Sequence, residues 1–254
     1  MRNLIYSICF FATIIIACKK EIQPLSYASV NIVNAVAGSG TVKVNYHGRS
    51  IRWSSLTGNT GNIAFASSQI LTIFNNNNDY PLTIVPSLDT LKSIFSERLK
   101  IEPTGIYTLF IMGKSDAYEA LFVKEQSISY NLRDSTIAIR FINVSTSGQK
   151  INISRTISPT IKETEGLGYK QLTEFRQYQL KKIVPMGSVT FEVRDASNNT
   201  LLTTYAIPNS PNTSYPTVSA SLSRFKSLTL VINSFIDNKT GTNIYSVFPV
   251  PHYN

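Results

Sequence analysis

The chain has 254 residues, with 24 Lys and Arg against 15 Asp and Glu, for a net charge of +9. The basic residues are scattered, with Lys19-Lys20 and Lys181-Lys182 the contiguous pairs, so no nucleic-acid partner is expected. Two cysteines and two histidines leave little for disulfide, Cys-zinc or His-based catalytic chemistry.

Arg2 precedes an uncharged apolar run from Leu4 to Ile16. At roughly 13 residues the run is shorter than the ~20 a bilayer-spanning helix needs, and it reads as a targeting segment. It ends Ile15-Ile16-Ala17-Cys18, followed by Lys19-Lys20-Glu21. That order resembles the lipobox of bacterial lipoproteins. The resemblance implies cleavage before Cys18, lipid on its thiol and an acylated new amino terminus, and several acyl chains anchor durably where one does not. An uncleaved anchor with an incidental cysteine is the rival reading. Cys9 follows the bulky Ile8 and is no second lipobox, so no thiol is expected to remain free.

Residues 1–17 are therefore expected to be a signal peptide and 18–27 a tether. Beyond them the 13 Phe, 13 Tyr and many β-branched residues describe strands. Ser29–Asn34 alternates, Gly38-Ser39-Gly40 punctuates, and Thr41–Tyr46 alternates again. His47-Gly48-Arg49 is a turn before a strand at Ser50–Trp53. Ile70–Phe74 and Pro81–Val85 flank a loop at Asn75–Asp79. Ser87–Leu99 has apolar residues at helical spacing, but strand and loop are the preferred reading. Ile106–Met112 is a nearly continuous apolar strand, and Ala120–Val123 closes the first unit.

A repeat follows. Val30–Ala35 resembles Ile139–Val144 at an offset of 109, which also carries Val42 and Val44 onto Ile151 and Ile153. Leu82-Thr83-Ile84 is matched with Val189-Thr190-Phe191 at an offset of 107. Two copies of one module are expected, over 28–123 and 136–254, joined by a linker at 124–135. The fold class is all-β: two tandem immunoglobulin-like β-sandwich domains after a lipoprotein signal peptide.

These strands resemble the bacterial family known as domain of unknown function 4397 (DUF4397), often found in tandem in exported and lipid-anchored proteins of the Bacteroidota type. The resemblance rests on Ile32-Val33-Asn34-Ala35 and Phe141-Ile142-Asn143-Val144, on Val42–Gly48, and on Gly105–Gly113 with its Tyr107. The second copy, at Ser227–Asn233, lacks the tyrosine and both glycines. The resemblance implies no enzymatic activity and no cofactor.

Asp89-Thr90-Leu91 and Asp134-Ser135-Thr136 resemble O-glycosylation acceptors of exported proteins, with Thr90 and Ser135 as the modified hydroxyls. Trp53, Tyr80, Tyr118 and Tyr215 are candidate sugar-stacking aromatics, against core packing as the plainer role. Asp79 and Asp116 lack the spacing of a calcium loop. Glu163 and Glu165 would share one solvent face in a strand, and a catalytic pair there is disfavoured. The expected function is a non-enzymatic cell-envelope lipoprotein, membrane-bound through its N-terminal lipid at the outer membrane, facing the periplasm or the cell surface. It would bind or present something, such as a glycan or an envelope protein, through loops at Gly58–Asn62, Asn75–Asp79 and Ile207–Pro216. The alternative is a glycan-binding accessory lipoprotein of a nutrient-uptake system.

Overall fold

The computed structural model describes residues 27–46, 48, 51–53, 61–74, 79–114, 117–131, 136–179, 189–207, 224–237 and 239–252. The expected signal peptide and the expected tether, with Cys18, lie outside these residues except for Tyr27, which opens the first strand and not the tether.

The described residues form strands and connections. Eight strands precede the linker: β1 (Tyr27–Asn34), β2 (Thr41–Asn45), β3 (Asn62–Ala64), β4 (Ser67–Phe74), β5 (Asp79–Pro86), β6 (Phe95–Lys100), β7 (Ile106–Lys114) and β8 (Ala117–Lys124). Eight follow it: β9 (Thr136–Asn143), β10 (Ile151–Arg155), β11 (Ser158–Leu167), β12 (Arg176–Gln179), β13 (Thr190–Asp195), β14 (Leu201–Ala206), β15 (Ser227–Ile236) and β16 (Asn243–His252). Sheet orders are β4-β1-β7-β8 and β3-β2-β5-β6 in the first module, and β12-β9-β15-β16 and β11-β10-β13-β14 in the second. The second pair repeats the first strand for strand, and β1–β7 and β9–β15 are the parallel pairs in each. The region at Ser87–Leu99 is a loop followed by β6, not a helix. Ile51 and Arg52 lie outside any strand, so the expected strand there does not extend through them.

Each module closes its own core. Val30 and Ile32 of β1 meet Val42, Val44, Leu82 and Ile84 from the facing sheet. Ile137, Ile139 and Phe141 of β9 meet Ile151, Ile153, Phe191 and Val193. A third core lies between the modules. The opposite faces of β1, β7, β9, β15 and β16 bring together Val33, Phe110, Met112, Ile142, Val231, Phe248 and Val250. The molecule is thus a stack of four sheets, and the central strands β1, β7, β9 and β15 of its two middle sheets are buried on both faces. Strands buried on both faces read as continuous apolar runs, which is why Ile106–Met112 loses its alternation. Burying an aromatic such as Phe110 contributes about 1.5–3 kcal/mol, so this core is a substantial join.

The repeat has a definite register. Val44 pairs with Ile84 and Ile153 pairs with Val193, so Ile84 corresponds to Val193 at an offset of 109. The offset of 107 for this strand is off by two. A slip of two residues keeps every side chain on its face, and the apolar pattern alone does not register it.

Gly105, just before β7, and Gly113, its last residue but one, are steric requirements. Gly113 has φ +99°, and a Cβ there would sit 2.3 Å from the Ala117 carbonyl oxygen. A Cβ on Gly105 would meet the Tyr107 ring at 2.4 Å. That ring stacks on Phe122, and its hydroxyl accepts a bond from the Glu102 amide at 3.0 Å.

Candidate functional site

The seam between the modules is apolar along most of its length and polar at one pole. Alternation along β9 explains why. Ile139 and Phe141 face the second core, so Arg140 between them must face the first module. An arginine there needs compensation for lost solvation. Its Nη2 donates to Glu125 Oε1 at 2.6 Å, with the two side chains only 6% and 5% exposed. Its Nε donates to Thr229 Oγ1 at 2.8 Å, and the guanidinium lies 4.3 Å from the Phe175 ring centre.

Glu125 follows β8 directly, and its amide donates to the Ile106 carbonyl, so the start of the linker is fastened to the first module. Its carboxylate then reaches the second. His252, near the end of β16, completes the cluster. Its Nε2 is 2.6 Å from Thr229 Oγ1, its Nδ1 is 3.8 Å from Glu125 Oε1, and its ring stands edge-on to Phe175. Thr229 Oγ1 accepts from Arg140 Nε and keeps its own proton available for His252 Nε2; in the tautomer that uses it, the ring proton sits on Nδ1, towards Glu125.

Burial pushes the His252 pKa down to about 4; Glu125 opposes that shift and the Arg140 charge adds to it. The imidazole is therefore neutral at pH 7. A group whose folded pKa is depressed below ~6.5 binds its proton more readily when unfolded. Its contribution is fully present above that pH and is lost as the pH falls towards 4. The expected loss is about 3 kcal/mol across the window. Urea titrations at pH 7 and pH 4.5 check this: His252→Gln should show a smaller acid loss than the parent, and equal losses would exclude the histidine as the cause.

Two hollows flank the cluster. One, of about 330 Å³, lies between linker residues 124–128, Arg140 and the 172–177 segment. The other, of about 150 Å³, is bordered by Asn31, Thr108 and His252. Glu125 Oε2, Asn31 Oδ1 and Thr108 Oγ1 are buried without a hydrogen-bond partner. The other cross-module bonds include Asn31 Nδ2 to the Pro251 carbonyl at 3.1 Å and Asn233 Nδ2 to the Ala35 carbonyl at 2.7 Å. Glu119 adds an ion pair with Lys170 and accepts from the Tyr169 hydroxyl.

No family model and no curated protein matches the chain. Among solved structures it is similar to a candidate adhesin from Bacteroides ovatus, at 12% identity and a TM-score of 0.24, covering 92% of this chain and 97% of that one. It is also similar to the fimbrial anchor protein Mfa2 from Porphyromonas gingivalis, at 9% identity and a TM-score of 0.23, covering 88% and 97%. The likeness is long but loosely superposed, and it bears on neither site nor activity.

The residues singled out in the sequence do not converge. Cys18, Ser135, Tyr215 and Asp116 lie outside the described residues, as do most of the three candidate loops. Thr90 is half-buried at the tip of the β5–β6 loop, where Asp89 Oδ1 accepts the Leu91 amide. Trp53 is half-buried, and its carbonyl accepts from Lys43 Nζ at 2.9 Å. Tyr80 and Tyr118 sit in different sheets, on β5 and β8, each packed against the first core. Asp79 pairs with Arg98 and Lys100.

Glu163 and Glu165 do not share one environment. Glu163 is 8% exposed, paired with Arg155 at 2.7 Å and accepting from the Tyr178 hydroxyl at 2.9 Å, whereas Glu165 is 67% exposed and pairs with Lys162. β11 pairs with β10 through three register shifts, which break the simple alternation. The seam cluster itself was missed. Its one signal in the sequence is Arg140, a charge inside the apolar strand Ile137–Ile142.

Proposed function

We propose that the protein is a non-enzymatic, lipid-anchored cell-envelope protein that holds two β-sandwich modules as one body for binding or presentation at the outer membrane. The observation that carries this reading is the third core, which joins the modules side by side. Chain direction supports the presentation half. β1 begins at Tyr27, beside the start of β7 and the end of β8, at the pole where the linker crosses. The turns after β1 and the β5–β6 loop lie at the opposite pole, where Ser87 donates to the Thr41 carbonyl. A lipid on Cys18 would hold the first pole near the membrane and turn those loops outward.

Mass spectrometry of the purified protein and fractionation of a Cys18→Ala variant test the anchor. The expected result is an acylated N-terminus at Cys18 in the parent and movement of the variant from the membrane to the soluble fraction. An unacylated parent, or a variant still in the membrane, would overturn it. Protease treatment of intact cells then separates a surface-facing from a periplasm-facing protein.

A further inference from the structure

We propose that the pole carrying Tyr27 is seated on the lipid bilayer itself, with exposed apolar side chains of both modules set among the head groups. The seating rests on the lipid anchor proposed above and adds a second, protein-borne contact to it.

Tyr27 and Phe74 lie directly opposite each other on β1 and β4, and their rings meet edge to face at 5.0 Å. By alternation both point away from the first core, onto the face that Val33 turns to the second module. The second module covers that face at Val33 and leaves its end open, so Tyr27 is 48% and Phe74 67% exposed. Asn31 reaches the Pro251 carbonyl and Asn233 the Ala35 carbonyl, so the two modules point the same way. β9 and β10 meet at the far pole, where Asn143 Nδ2 donates to the Gln149 carbonyl. β10 therefore returns towards the Tyr27 pole, and Ile157, in the turn after it, is 79% exposed. Each module thus shows water a large apolar side chain at the same end. An aromatic ring with one polar tip, as in Tyr27, suits the boundary between acyl chains and head groups.

Position selects the bilayer as the occupant. Tyr27 is nine residues from Cys18, roughly 30 Å at full extension. An acylated Cys18 keeps this pole within that distance of the membrane. The tether makes the second contact intramolecular, so a few apolar side chains suffice where they would not hold a free protein. The charges agree. Asp79 is paired with Arg98 and Lys100, Glu102 is paired with Lys124, and Lys226 is exposed just ahead of β15. These groups carry a surplus of positive charge, which favours anionic head groups.

The acylated full-length protein is reconstituted into vesicles of equal parts phosphatidylethanolamine and phosphatidylglycerol, with a nitroxide-labelled lipid as quencher. With Cys9 removed and Cys18 acylated, an introduced thiol is the one available for a fluorophore. It is placed in turn by Phe74→Cys, Ile157→Cys and Leu91→Cys, all exposed positions, the last on the β5–β6 loop at the opposite pole. Quenching at 74 and 157 should exceed that at 91 by roughly threefold or more, and adding Phe74→Ser should lower the quenching at 157 about twofold. Equal quenching at the three positions, or most at 91, overturns the seating. So does a signal at 157 that Phe74→Ser leaves unchanged. A chain that floats with the vesicles but is unquenched at 74 and 157 loses the seating and keeps its anchor. One that does not float loses the anchor, and the seating with it.

Discussion

Arg140→Met lowers the unfolding free energy by about 3–5 kcal/mol, because it strands the Glu125 carboxylate in the seam with no cation beside it. Glu125→Leu costs a similar amount by stranding the guanidinium. The double variant recovers most of either loss. A buried ion pair loses hydration that its own attraction hardly repays, so replacing both partners with apolar groups is close to neutral. A urea double-mutant cycle measures this directly, and additive losses would mean the two side chains act on stability independently. The Lys124–Glu102 pair, 2.6 Å long but 55% and 65% exposed, is the contrast. Glu102→Gln should cost less than about 1 kcal/mol, since water and salt screen an exposed pair. Every variant in the cycle should unfold in a single transition, because the third core couples the two modules.

The sequence made some of this legible and left the rest hidden for physical reasons. Strand alternation along Ser29–Asn34 and Thr41–Tyr46 reports a face buried against water, and β1 and β2 lie there. The offset of 109 between Val30–Ala35 and Ile139–Val144 corresponds to β1 and β9, which hold the same place in their sheets. The helical spacing of Leu88 and Leu91 is accidental: both side chains are more than 95% exposed on the loop. Ile106–Met112 carried a signal that alternation cannot decode. A run apolar on both faces means burial on both faces, but the pattern does not say what covers the second one. The covering partner is Ile142, Val231 and Phe248 of the other module, over 100 residues away for Val231 and Phe248. The cluster at the pole is harder still. Glu125, Arg140, Thr229 and His252 come from the linker and three strands, so no spacing rule joins them. The aromatic candidates failed to converge for the opposite reason: Tyr80 and Tyr118 have composition in common, while β5 and β8 belong to different sheets.

Asn34→Ala and Asn143→Ala should each destabilise the protein by about 3 kcal/mol, and aspartate at either position should cost more. The two asparagines close the first strand of each module in the same way. Asn34 Nδ2 donates to the Gly40 and Ile63 carbonyls, both at 3.1 Å, while its Oδ1 accepts the Val36 amide. Asn143 Nδ2 donates to Gln149 at 3.1 Å and Leu167 at 2.9 Å, and its Oδ1 accepts the Ser145 amide. Ile63 and Leu167 belong to β3 and β11, so each carboxamide ties a middle sheet to its outer sheet. Both side chains are fully buried. Alanine leaves two carbonyls and an amide without their partner, each costing about 1–3 kcal/mol when water cannot reach it, and partial hydration holds the total near the lower end. Aspartate is nearly the same shape, but its carboxylate faces two carbonyl oxygens that need a donor. The repulsion and the burial raise its folded pKa above the unfolded value of ~3.9. Its protonated form is therefore the tolerated one, and the penalty grows as the pH rises through the raised pKa. Urea unfolding of Asn143→Asp and Asn143→Ala at pH 4 and pH 7 separates the two. The aspartate variant should lose ground against alanine between those pH values, and a constant difference would mean the site is open to water.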